Sequence, residues 1–317
     1  MRKDAKTIKT ATLSTVDQYH GGMWGSENYA FAGFRSNKYF TSDRFIGLDS
    51  RFNRPDGKPL KGFGLEIETE CRGIHSAQVY AEVLNNVIFP HFPDDLFKLQ
   101  RDGSLGGDVS AECITQVMTR EFIRNQYSAF KLMYDTYFPA FNISCGTNCG
   151  MHCNLSNALF GRTEAAQTEA IRKLYYIVNN HYDFCCALFN RSSSNTGYCA
   201  RMAHSKEYAK NLDLRNNRSD HYVCFNLGHF TSGRVELRLV GGQKNFPCFR
   251  NTMESVFYLV DAVKRLSWND CDDLVKIFSG CNQYVFDRIK SFCAQRGTIT
   301  AAQVDAIREN VVREDLI

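Results

Sequence analysis

FGLEIETE, from Phe63 to Glu70, alternates strictly: Phe63, Leu65, Ile67 and Thr69 fall on one side, and Gly64, Glu66, Glu68 and Glu70 on the other. Period-two alternation predicts a β-strand with one buried face. Its second face carries three carboxylates. An antiparallel sheet with a solvated face would explain them without any function. Chemistry is suggested only because later stretches repeat the pattern.

Those stretches follow in order. Phe97 to Gln100 reads as a short strand, ending in RDGSLGGD (Arg101 to Asp108), a tight glycine turn bearing Asp102 and Ser104. Val109 to Met118 is a second full strand, with Ser110, Glu112 and Gln116 on one face. In FNISCGTNCGMHCNLS (Phe141 to Ser156), Gly146 and Gly150 lead into a strand that opposes His152, Asn154 and Ser156 to Met151, Cys153 and Leu155. HYVCFNLGHF and RVELRLV predict a hairpin across Thr231, Ser232 and Gly233, with Asn226 on one arm and Arg234, Glu236 and Arg238 on the other. Helical periodicity fills the gaps. It predicts helices over Ser76 to Phe89, from the N-cap Thr119 to Pro139, over Thr163 to Phe189, and over residues 251 to 266. The predicted class is α+β: an antiparallel sheet with a polar face, its apolar face covered by helices.

Composition narrows the function classes. With 317 residues, 44% hydrophobic and 23% charged, the chain reads as an ordinary globular protein, and a net charge of +4 gives no case for nucleic acid. No apolar run has the length of a transmembrane helix, and the basic N-terminus lacks an apolar core, so neither membrane insertion nor a secretory signal is expected. Thirteen cysteines, an odd count, suit packed thiols in a reducing cytoplasm.

If the polar faces line one sheet, Glu66, Glu68, Glu112, His152, Glu236 and Arg238 share it. Clustered carboxylates raise one another's pKa unless cations neutralise them. Hard oxygens with a single imidazole suit Mg²⁺ or Mn²⁺ rather than zinc. A facing arginine adds the apparatus for a nucleoside triphosphate. Plainer readings stand beside this one: a core histidine at His152, a surface ion pair between Glu236 and Arg238, a bare turn at Asp102. Cys145, Cys149 and Cys153 are spaced C-x3-C-x3-C, unlike zinc pairs, and alternation sets Cys149 and Cys153 opposite His152.

The order FGLEIE, RDGS, AECITQ, NISCGTNCGMHCN, YVCFNL, VELRL resembles the amidoligase family, of the glutamine synthetase/γ-glutamylcysteine ligase superfamily, between about Phe63 and Arg265. The resemblance implies a curved sheet with a concave polar face in a catalytic domain over 61–266; outside it, residues 1–60, whose glycines punctuate aromatics with no sustained period, read as an irregular arm, and 267–317 as a C-terminal helical extension packed on the same domain. It implies ATP, Mg²⁺, and amide formation between a carboxylate and an amine through an acyl phosphate. Glu66, His152 and Glu236 would hold one metal; Glu68 and Glu112 the other. Arg238 matches the arginine on the transferring phosphoryl group. Asp102 matches an acidic residue at the substrate end, and Arg191 a loop arginine; Asn226, beside them, is placed with the nucleotide. A peptide or other polymer is among the substrates implied, since the family occurs in bacteria and phages and modifies such conjugates; a phage-encoded member would work in its host's cytoplasm. Asn154 departs from the family, which commonly has a second histidine there. Two alternatives follow: a phosphotransferase on the same fold, and a binding or assembly module without turnover.

Overall fold

The computed structural model describes residues 61–93, 96–100, 105, 107–146, 148–192, 197–217 and 222–312. The arm expected over 1–60, the turn residues Arg101 to Ser104, and residues 313–317 lie outside them. Helices combine with antiparallel strands, so the class is α+β. The chain divides into two compact units; among the described residues the first holds 63–151 and 242–246, the second 61–62, 152–241 and 247–312.

In the first unit, strand β1 (Phe63–Cys71) pairs antiparallel with β3 (Val109–Thr115), setting Ile67 opposite Cys113 and Glu68 opposite Glu112. The strand β2 (Phe97–Gln100) lies along the far side of β3, and β4 (Ile143–Ser144) along the end of β1. Phe63, Leu65 and Ile67 are fully buried. Helix α1 (Ala77–Val83), capped by Ser76, covers that face: the hydroxyl of buried Tyr80 donates to Thr69 Oγ1 at 2.7 Å. Beyond Val83 the backbone widens into a π-turn (Leu84–Ile88) and a 3₁₀ turn (Phe89–His91) that holds Pro90. The rings of Phe89 and Phe97 stack there at 4.4 Å. Thr119 caps helix α2 (Arg120–Asn125), as expected, accepting from Phe122 N at 3.1 Å.

In the second unit, β5 (Met151–Ser156, from His152 onward) and β6 (Phe225–Asn226) flank β7 (Arg234–Leu237). Gly233, at φ 94°, closes the turn into β7 in the left-handed region. Cys153, Leu155, Phe225, Val235 and Leu237 form the fully buried apolar face. Helix α3 (Glu164–Asn180) packs on it, Tyr175 meeting Phe225 edge-on at 6.4 Å. The helix expected to run to Phe189 breaks at His181 and resumes as α4 (Tyr182–Leu188). His181 turns its ring out of the helical path to bond the Cys271 carbonyl at 2.9 Å.

Helix α5 (Phe246–Arg265) starts earlier than its apolar period suggests, with Pro247 in the first turn, where a missing N–H costs nothing. Residues 267–312 supply α6 (Leu274–Phe278), α7 (Gln283–Arg288) and α8 (Ala301–Arg308). They pack within the second unit: Tyr176 donates to Asp272 at 2.7 Å, and Tyr258 to the Ile277 and Ser279 carbonyls at 2.9 and 2.8 Å. No described helix is long and apolar enough to cross a membrane. None of the thirteen cysteines is in a disulfide; twelve are buried and Cys248 is half-buried.

Candidate functional site

Arg234 and Glu236 project on one side of β7 because the strand alternates, Arg238 follows just past its end, and register decides what they meet. Glu236 lies opposite Asn154 of β5 and opposite Asn226 of β6, so three strands bring one polar row to one level. The whole row is buried. Glu236 Oε1 accepts from Arg238 Nη1 at 2.7 Å and stands 3.6 Å from His152 Nδ1; Oε2 accepts from Asn226 Nδ2 at 3.1 Å. Asn226 Oδ1 in turn accepts from Gly228 N at 2.8 Å, which fixes the amide's orientation. Arg234 donates to Asn154 Oδ1.

Glu236 is therefore a hub, with both oxygens engaged. Arg238 is only 6% exposed, yet its buried Nε has no hydrogen-bond partner among the described residues. An unmade bond at a buried charged donor is expensive, on the order of 1–3 kcal/mol. Two guanidinium groups against one carboxylate leave this row of side chains cationic, with one donor still to be used. That chemistry suits an anionic ligand.

The acidic row belongs to the first unit. Glu66, Glu68 and Glu70 are each 7% exposed, and Glu112 is half-buried opposite Glu68. Like charges directly opposite on a sheet are destabilising. Glu68 is held by Gly150: its backbone N–H donates to Gly150 O at 3.1 Å, and its carboxylate accepts from Gly150 N. The expectation of a solvated second face fails here, because every residue of β1 is buried. Crowded, buried, hard oxygens fit a hard divalent cation.

The structure thus groups His152, Asn226, Glu236 and Arg238 in the second unit, and aligns Glu66, Glu68 and Glu112 in the first. Arg191 is buried; its Nε donates to Cys199 Sγ at 3.2 Å, and its carbonyl accepts from Arg296 at 2.8 Å. None of those bonds reaches Glu236. Asp102 lies outside the described residues. Cys145 is buried, and burial pushes its thiol well above the usual range, a poor start for a soft-metal ligand. Sequence reasoning did not single out the Arg234–Asn154 pair. Alternation did place Arg234 on the Glu236 face, but register alone shows that it reaches across to β5. Compared with protein-family models and with curated proteins, the chain matches none.

Proposed function

We propose that the chain is an ATP- and Mg²⁺-dependent carboxylate–amine ligase on a glutamine synthetase-like curved sheet. The observation that carries this reading is Glu236, which accepts from Arg238 and Asn226 and stands 3.6 Å from His152, beside a buried guanidinium Nε with no partner among the described residues. The order of motifs shared with amidoligases supports it.

In this reading, as the resemblance implies, Glu66, His152 and Glu236 would hold one divalent ion, and Glu68 with Glu112 the second. Bound there, Mg²⁺ or Mn²⁺ would draw charge from the phosphate oxygens. Arg238 turns its unused Nε–H to the transferring phosphoryl group and compensates the charge that develops on it. Its bond to Glu236 fixes the guanidinium plane beforehand, so little reorganisation is needed. Asn226 and Arg191 serve the nucleotide, and Asp102 the amine at the substrate end. A substrate carboxylate oxygen attacks the γ-phosphorus and the bond to the ADP oxygen breaks, leaving an acyl phosphate. The amine nitrogen then attacks the acyl carbon, loses a proton, and phosphate departs. Asn154 hydrogen-bonds but cannot shuttle that proton, so proton transfer falls to another group. The cytoplasm, a host's if the gene is carried by a phage, suits the buried thiols.

The test incubates the protein with Mg–ATP and pooled amino acids, peptides and polyamines, followed by mass spectrometry. A condensation product formed together with ADP is expected. An amide formed without ATP contradicts the mechanism, and a phosphorylated product without a new amide moves the assignment to a phosphotransferase.

A further inference from the structure

A separate cleft of about 790 Å³ opens in the second unit, within the range of small-molecule sites. The end of α3, the start of α4, Ser192, Arg201, Leu274 and the turn at Arg296–Thr298 line it. The last of these lies in the C-terminal segment, beyond the stretch that resembles amidoligases.

Two arginines line it, each anchored by a single bond to a main-chain carbonyl. Arg201 Nε donates to Asn179 O at 2.9 Å, and Arg296 Nη1 to Arg191 O at 2.8 Å. Neither has a carboxylate partner among the described residues. The remaining guanidinium donors are thus left for the cleft, and anchoring lowers the entropy cost of using them. Asn180, Ser192 and Thr298 add hydrogen-bonding groups to the lining, and Asp183 is its one acid among the described residues. The walls are built rather than incidental. Tyr182 OH donates to Cys199 O at 2.8 Å, Thr298 Oγ1 to Cys293 O at 2.9 Å, and fully buried Arg288 to Leu188 O at 2.8 Å. Gly297 turns the chain at φ 68° between Arg296 and Thr298.

We infer that this cleft is a second binding site, for a small polyanion bearing carboxylate or phosphate groups, gripped between Arg201 and Arg296. Two anchored forks lining one cleft favour a molecule with two acidic groups over a single halide-like ion, because each fork accepts a planar or tetrahedral oxyanion. The inference does not depend on the nucleotide reading: no residue of that reading lines the cleft, and the one link is the main-chain carbonyl of Arg191 that anchors Arg296.

The experiment is calorimetric titration of the full chain, without divalent metal, with citrate and separately with inorganic pyrophosphate. At least one should bind with one-to-one stoichiometry. Arg201→Gln and Ser192→Glu should each weaken it by at least about tenfold, the loss expected for a charge-assisted contact. Arg238→Gln should leave it unchanged. Binding of citrate alone assigns a carboxylate ligand, and of pyrophosphate alone a phosphate ligand. Far-UV circular dichroism checks that each variant folds; Ser192 is exposed, so its variant serves should Arg201→Gln not fold. Binding by neither probe, equal binding in both cleft variants, or loss of binding in Arg238→Gln overturns the inference.

Discussion

Glu236 and Glu66 are both buried carboxylates, and they should respond oppositely to loss of charge. Glu236 compensates the guanidinium of Arg238 at 2.7 Å, so Glu236→Ala leaves a buried cation without its partner. Breaking a buried pair this way costs about 3–5 kcal/mol. Urea denaturation without metal should show a loss of that order; a variant as stable as the parent would contradict the hub. Glu66 instead belongs to a row of like charges, and Glu66→Gln should match or exceed the parent's stability while weakening Mg–nucleotide binding. At Asn154 the structure adds what comparison of motifs could not. Its buried side chain accepts a hydrogen bond from Arg234 across the strands. Asn154→Ala would strand a buried donor, and the same denaturation experiment should show a loss of about 1–3 kcal/mol. Residue types and faces were legible in the alternation of Arg234, Glu236 and Arg238. Partners across strands were not, because register is a tertiary fact.

Among the elements, most strand starts are legible and ends less so: β3 stops at Thr115 rather than Met118, and β7 at Leu237 within RVELRLV. β1 runs one residue past the quoted stretch, and β2 has the expected span. The strand expected over HYVCFNLGHF shortens to Phe225–Asn226, because the Asn226 side chain caps Gly228 N and turns the chain away. That turn had a local signal in the Asn-x-Gly spacing. The break at His181 had none: the apolar stripe runs straight through it, and the bond responsible goes to a carbonyl 90 residues away. Past the end of β7, Gly241 donates to the Phe189 carbonyl at 2.9 Å, and its Cα faces Asn190 so closely that a Cβ would overlap the Asn190 carbonyl and lie 3.1 Å from Arg191 Cα. Gly241→Ala should therefore push the Arg191 loop off the strand, costing about 1–3 kcal/mol, as overpacking does. Thermal unfolding that matches the parent would show that the loop yields freely.

Across the whole molecule, the cysteine count read from sequence becomes a statement about stability. Burial pushes the thiols of Cys113, Cys186, Cys224, Cys281 and Cys293 up to about 12, and Cys271 to about 11. An unfolded thiol titrates near 8.5. Below that value both states are protonated and the contribution is complete. Above it the unfolded chain releases protons that the folded chain retains, so stability falls as pH rises toward the folded values. Each thiol removes up to about 1.4 kcal/mol per pH unit in that window. In a reductant, the denaturation midpoint should hold to about pH 8 and drop steeply by pH 10; a flat profile would contradict the buried-thiol core. The division into two units was not legible, because motif order follows the chain while the units exchange segments at 151, 241 and 246. The proposed role of the Glu236–Arg238 face is to take the phosphates of a metal-bound nucleotide. The most direct measurement is calorimetric titration of the protein with a non-hydrolysable ATP analogue, with and without Mg²⁺, on the parent and on Arg238→Lys. One nucleotide should bind only with Mg²⁺ present, and weaken by at least about tenfold in Arg238→Lys, since an ammonium cannot reproduce the guanidinium's fork. No Mg²⁺-dependent binding in the parent, or equal binding in Arg238→Lys, would contradict that role.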